Sequence, residues 1–260
     1  MRVALIQMDL AWEDVAENHR RAGRLLEEAK RRGAQLAVLP EMFSTGFSMD
    51  SVRIAQPPGG ATEEFLRESA ARLGVWILAS TPEAGEPAPR NMALLVSPDG
   101  TVQRYAKIHP FSFAGEDRAY AGGDRILTAR IGDVSVTPFI CYDLRFPEPF
   151  RAAADDTDLF VVMANWPDAR RDHWRTLLRA RAIENLAYVA GVNRVGEGGR
   201  LRYVGESAVI SPWGEVLVEG GEEEAVLVAD VEPEVVRSAR ERFPALRDRR
   251  PDAYRRTEVS

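Results

Sequence analysis

The sequence predicts an α/β fold built from mixed β-sheets covered by helices. Three observations carry that expectation. Apolar strand-like runs alternate with amphipathic helical segments along the chain. Turn signals at Pro98-Asp99-Gly100 and Pro212-Trp213-Gly214 join short strands in both halves, which argues against a purely parallel barrel. No stretch reads as an interdomain linker, because Thr81–Pro89 is loop-like but too short. The 260 residues are therefore expected to form one domain, 1–260, with a sizeable core. Each half holds strand–helix–strand units and a hairpin. Two mixed sheets can then stack face to face with helices outside, as a four-layer α-β-β-α sandwich.

The elements follow in order. Val3–Met8 reads as a buried first strand. Asp14–Arg32 carries Val15, Ala22, Leu25, Leu26 and Ala29 at helical spacing, with Gly33 as a C-cap. Leu36–Leu39 is a short strand. Thr62–Leu73 is a helix opened by Thr62, with Glu63 and Glu64 in the first turn where negative charge suits the dipole. Val75–Ser80, Ala93–Val96 and Thr101–Tyr105 are strands, the last two a hairpin. Val134–Ile140 and Leu159–Ala164 are strands rich in β-branched residues, and Arg170–Asn185 is an amphipathic helix. Tyr188–Asn193, Ser207–Ile210, Glu215–Leu217 and Ala225–Val231 are strands. Pro233–Arg242 is a closing helix with Pro at its start.

Composition excludes several classes of function. One cysteine, Cys141, cannot form an internal disulfide. With only His19, His109 and His173 beside it, a cysteine-rich zinc module is excluded, and no metal or other cofactor is expected. A net charge of −6 argues against nucleic acid as a partner. No apolar run approaches the roughly 20 residues that span a bilayer, so no membrane partner is expected. The N-terminal segment MRVALIQMDL lacks the features of a signal peptide, which points to the cytoplasm. The 34 basic residues are 32 arginines and only two lysines, Lys30 and Lys107.

Three reactive side chains share one context, each just after an apolar strand: Glu41 after Leu36–Pro40, Lys107 after Thr101–Tyr105, and Cys141 after Val134–Ile140. Strand C-termini are where α/β folds bind ligands. Taken singly, a lone cysteine is commonly a small buried hydrophobe, a glutamate after Leu-Pro a solvated loop residue, and a lysine a surface cation. The lysine stands out here because this chain otherwise uses arginine. A compact ammonium can approach one oxygen closely, as an oxyanion stabiliser must. Together the three suit amide chemistry: a thiolate attacks carbon, a carboxylate takes the thiol proton and later activates water, and an ammonium stabilises the oxyanion.

The segments LPEMFSTGF, YAKIHPF and FICYDLRFPE resemble the three signature segments of the nitrilase superfamily of carbon–nitrogen hydrolases, in the same order. Ala164–Pro167, the helix from His173-Trp174 to Ala182–Asn185, AYVAGVNRVG, SAVISPWGEVL and Phe243-Pro244 look like its omega-amidase branch. The similarity runs from about residue 2 to 250. It implies the four-layer sandwich, commonly paired through its helices as a homodimer or higher homo-oligomer. It implies Glu41 as general base, Lys107 as oxyanion donor, Cys141 as nucleophile and the Tyr142 N–H as the second oxyanion donor. A second glutamate recurs in the family between the lysine and the cysteine. In FAGED it falls on Glu116, with Asp117 adjacent.

The resemblance implies a small-molecule amide as partner, a dicarboxylate monoamide such as 2-oxoglutaramate or 2-oxosuccinamate. Arg145, four residues after Cys141, is a candidate for a distal carboxylate, with a structural ion pair as its alternative. Asn165 and Trp166 follow the next strand and are candidates for the same crevice. Phe43 and Phe47 are candidates for an apolar wall, with core packing as the alternative. His109 and His173 read as structural hydrogen-bonding residues. The competing readings are an amidase for deaminated glutathione, a nitrilase with the same triad, and a catalytically silent dimeric scaffold. A metal hydrolase is the weakest, because no HExxH pattern occurs.

Overall fold

The computed structural model describes residues 1–254; residues 255–260 of the expected domain lie outside the described residues. Fourteen strands are present among those described: β1 Arg2–Gln7, β2 Leu36–Val38, β3 Trp76–Glu83, β4 Arg90–Val96, β5 Val102–Ala106, β6 Ala129–Ile131, β7 Val134–Ile140, β8 Leu159–Ala164, β9 Tyr188–Asn193, β10 Val195–Gly198, β11 Leu201–Val204, β12 Ala208–Ile210, β13 Val216–Glu219 and β14 Ala225–Asp230. The helices are α1 Val15–Arg31, α2 Ser51–Ile54, α3 Ala61–Leu73, α4 Glu116–Ala119, α5 Pro147–Ala153, α6 Arg171–Asn185 and α7 Pro233–Arg242.

Two six-stranded mixed sheets result, ordered β14-β1-β2-β3-β4-β5 and β13-β12-β9-β8-β7-β6. In each, three central strands are parallel (β1, β2, β3 and β7, β8, β9) and the flanking strands are antiparallel. Strand periodicity of two divides the side chains of the first sheet. Val3, Leu5, Leu36, Val38, Leu78, Ala93 and Leu95 join one core with the second sheet. Ala4, Ile6, Ala37, Leu39, Ile77, Ala79, Leu94 and Val96 face the other way, onto Ala22, Leu25, Leu26 and Ala29 of α1 and Leu66 and Ala70 of α3. Phe150 of α5 packs on Phe139 and Phe160, and Trp174, Leu178 and Ala182 of α6 cover the second sheet. The layers are α-β-β-α, as expected.

Differences from the sequence reading have physical causes. Thr81–Glu83, read as loop, extends β3 and pairs with Arg90–Met92. Pro82 is tolerated because its side of the strand faces Gln56, whose N–H donates to the Pro82 carbonyl (3.2 Å), and no sheet partner there needs a proline N–H. Helix α3 begins one residue before Thr62, capped by Gly60. The short strand β6, the β10–β11 hairpin and α5 carry too few periodic apolar residues to be read in advance.

Helix α6 lies against β9 at Gly191. A Cβ there would sit 2.5 Å from Leu178 Cδ1 and 2.9 Å from Trp174 Cζ2, both inside the core. Gly191→Ala should therefore destabilise by about 1–3 kcal/mol. Calorimetry should show a Tm lowered by roughly 2–4 °C for each kcal/mol. An unchanged Tm would mean that the contact relaxes freely.

Candidate active site

The parallel strands of both sheets end on one side, and β4 begins and β5 ends there. Glu41 lies three residues past β2, Lys107 directly after β5, Cys141 directly after β7 and Asn165 directly after β8. Both critical turns use left-handed backbone: Met42 has φ 45° and Cys141 φ 45°. Non-glycine residues rarely adopt this conformation, and it holds only where the surroundings over-determine it. At Met42 the N–H is caught by Ser80 Oγ (2.9 Å). At Cys141, the buried Asp143 two residues on does the fixing. Its Oδ2 accepts from the Ile140 N–H (3.0 Å) and Tyr105 Oη (2.7 Å), and its Oδ1 contacts His109 N (3.0 Å) and Nδ1 (2.8 Å). Asp143 thereby ties the cysteine turn to the loop that carries Lys107.

Glu41, Lys107 and Glu116 form a buried charge cluster. Lys107 Nζ donates to Glu41 Oε1 (2.8 Å) and to Glu116 Oε2 (2.7 Å). It also sits 5.3 Å from the Phe47 ring centre. Glu41 Oε2 accepts from the Asn165 backbone N–H (2.9 Å), and Asn165 Nδ2 donates to the Glu41 carbonyl (2.6 Å). Glu116 Oε2 also accepts from the Phe111 N–H (2.6 Å). Asn91 Nδ2 donates to Glu41 Oε1 (2.9 Å) and Glu116 Oε1 (3.1 Å). Asp117, the alternative to Glu116, is exposed.

These charges fix each other's ionisation. Burial disfavours the Lys107 ammonium, but Glu116 and Glu41 outweigh it and raise its pKa above the usual lysine value. Burial raises Glu116, against the pull of Lys107 and with the push of Glu41. The Cys141 thiol is raised well above its usual range by burial and then by Glu41, with Lys107 opposing.

A cavity of about 70 Å³ opens beside Cys141. It is lined by Phe47, Phe111, Tyr142, Arg145, Asn165, Trp166, Arg170 and Tyr203 among others. Tyr142, Arg145, Asn165 and Trp166 thus lie where the sequence reading put them. Phe43 does not. It is fully buried on the outer face of the first sheet, beside His19 and Phe65, because the left-handed Met42 turns the chain into that core. Its neighbour Phe47 supplies the apolar wall. Arg145 stacks 4.9 Å over Trp166 and donates to His173 Nδ1 (3.1 Å). The ion pair weighed for it is absent among the described residues.

Sequence reasoning missed Asn91, Phe111, Arg170 and Tyr203. Asn91 gave a faint signal, a polar residue at the mouth of an apolar strand. Arg170 gave none among 32 arginines, and Tyr203 lies on the unforeseen hairpin.

Comparison with known proteins identifies the family. The profile of the carbon-nitrogen hydrolase family matches residues 2–241. Omega-amidase YafV of Yersinia enterocolitica is 40% identical over 254 residues, covering 95% of this chain and 96% of that one. The 2-oxoglutaramate amidase of Bacillus subtilis is 31% identical over 256 residues, covering 97% and 98%. The crystal structure of XC1258 from Xanthomonas campestris is described as a CN-hydrolase superfamily protein with an arsenic adduct in its active site. It superposes with a TM-score of 0.92 at 40% identity, covering 96% of this chain and 97% of that one. The family match spans both sheets and every member of the buried cluster, and this chain belongs to the carbon-nitrogen hydrolase family.

Proposed function

We propose that this enzyme is an omega-amidase. It hydrolyses the terminal amide of a small dicarboxylate monoamide, such as 2-oxoglutaramate or 2-oxosuccinamate, to the 2-oxo dicarboxylate and ammonia. The observation that carries this reading is one small cavity with Cys141 at its floor, the Glu41–Lys107–Glu116 cluster beneath, and two guanidiniums at its wall. Arg145 rests on Trp166, and Arg170 stacks 5.5 Å over Phe111. Neither has a carboxylate partner among the described residues. In a chain of net charge −6, such a pair suits an anionic substrate tail.

Cys141 Sγ attacks the amide carbon as its proton passes to Glu41. The negative charge that a thiolate would carry moves onto the substrate oxygen. There the third N–H of Lys107 and the N–H of Tyr142 receive it. Tyr142 lies in the first turn of the 3-10 segment Cys141–Arg145, where N–H groups lack intrahelical acceptors. Asn165 Oδ1 is buried without a partner among the described residues, and accepts from the substrate N–H₂. The C–N bond breaks as Glu41 returns the proton to nitrogen, and ammonia leaves. Water then attacks the thioester, giving a proton to Glu41. The C–S bond breaks, and that proton returns to sulfur.

The helical face beside β12 and β13 supports the expected pairing of two copies. There a groove of about 620 Å³ is lined by Thr176, Ala180, Ile183 and Val216, with Ile183, Val216 and Leu217 substantially exposed. We infer a homodimer through this face, and a cytoplasmic site that keeps the single thiol reduced. Light scattering should give twice the chain mass, and Ile183→Asp should give the monomer mass.

Three measurements test the chemistry. Ammonia release from 2-oxoglutaramate should vanish in Cys141→Ala and Glu41→Gln, and fall by about 10²–10³ in Lys107→Arg. Wild-type turnover in Lys107→Arg would remove its assigned role. In Arg145→Ala and Arg170→Met, KM should rise for the acidic amide and hold for a neutral amide of equal length. Equal effects on both would remove the guanidiniums from recognition. Because Cys141 is the only cysteine, ultraviolet absorbance against Cys141→Ala reports its thiolate alone. Its pKa is raised, so the thiolate signal should emerge only above the usual thiol range. In Glu41→Gln it should emerge at lower pH, since one opposing negative charge is gone.

A further inference from the structure

We propose that Asn91 is a positioning residue, whose one carboxamide holds Glu41 and Glu116 in place on either side of Lys107. Asn91 stands at the start of β4, buried, and touches neither Cys141 nor the cavity wall. Its two N–H bonds go to two different carboxylates, Glu41 Oε1 at 2.9 Å and Glu116 Oε1 at 3.1 Å. Its Oδ1 accepts from Ser80 Oγ (2.8 Å), and Ser80 Oγ in turn accepts from the Met42 N–H (2.9 Å). The reverse amide orientation would set a carbonyl oxygen against two carboxylates, so the carboxylates select the orientation and Ser80 anchors it. The backbone contributes as well, because the Lys107 N–H donates to the Asn91 carbonyl (3.0 Å). One residue therefore touches all three charged members of the cluster.

The electrostatic need is specific. Two carboxylates share one ammonium out of water, and Glu41 adds to the burial that raises Glu116, against the pull of Lys107. Lys107 alone cannot saturate four carboxylate oxygens and still keep an N–H for substrate. Donors from Asn91 favour the charged form of both without adding a charge. The other titratable groups facing the pair are Cys141 after β7, Tyr120 after α4 and Tyr203 of β11. Of these, the Cys141 thiol hydrogen-bonds Glu41, whereas neither tyrosine donates to either carboxylate among the described residues.

The assay rests on the proposed amidase reading, and wild-type turnover checks that reading separately. If wild type releases no ammonia from 2-oxoglutaramate, the substrate assignment fails. The thiolate absorbance of Cys141 then still reports the cluster. kcat and KM are measured against pH for wild type, Asn91→Ala, Asn91→Asp and Ser80→Ala. Loss of the donor should lower kcat about 10–100-fold, with KM little changed. It should also move the acid limb to higher pH, because a carboxylate deprived of a donor protonates more readily. Asn91→Asp, which adds a third acid, should move it furthest. Ser80→Ala should move it the same way by less. Profiles superimposable on wild type, or a lowered active fraction with an unmoved acid limb, would reduce Asn91 to a packing residue and overturn the proposal. Should the Asn91 variants not fold, Ser80→Ala decides by the same criterion.

Discussion

Everything in this structure answers to one difficulty, the burial of an ammonium between two carboxylates. Charges taken from water lose several kcal/mol of hydration each, and their attraction repays that only when geometry is good and the remaining lone pairs are satisfied. Here Glu41 is met by Lys107, Asn91 and Asn165, and Glu116 by Lys107, Asn91 and Phe111. The donors come from both sheets and from the loop after β5. A cluster of this kind cannot form in any one segment, and the sandwich is the scaffold that assembles it. Burial and the nearby Glu41 also hold the Cys141 thiol well above its usual range, with Lys107 opposing.

The same difficulty orders the rest of the site. Parallel central strands bring the ends of β2, β7 and β8 to one side, and the antiparallel flanks bring the start of β4 and the end of β5 to meet them. Left-handed backbone at Met42 and Cys141 then re-aims the chain abruptly, so each reactive group leaves its strand for the interface between the sheets. Asn193, at the end of β9, grips the Trp166 backbone from both sides (2.7 and 3.0 Å) and steadies the platform under Arg145. Order in the pocket wall is inherited from order in the strands.

The sequence was most readable where local physics decides the outcome. Strand alternation, the left-handed Gly33 just past α1 and the strand-end positions of Glu41, Lys107 and Cys141 all follow from periodicity and residue type. The scarcity of lysine made Lys107 conspicuous before any contact was known. What stayed hidden depends on tertiary context. Phe43 and Phe47 are alike as letters, and only the turn at Met42 sends one into the helix-covered core and the other to the cavity. Asn91 and Arg170 are ordinary residues given meaning by partners far away in the chain, and Tyr203 rides on a hairpin too short to show periodicity.

The pairing of β1 with β14 has a consequence for how the molecule is made. Arg2–Gln7 lies beside Ala225–Asp230, and the N-terminal amine meets the Val231 carbonyl at 2.7 Å. Strand β1 thus waits for β14, 228 residues further on at Asp230, before its open edge is covered. Until then the sheet bearing Glu41 carries an unprotected border, in a topology whose decisive closure joins strands far apart in sequence. Such long-range closure is intrinsically slow, and exposed edges invite wrong partners meanwhile. The sheet that carries Glu41 is completed only when β14 has emerged and docked beside β1.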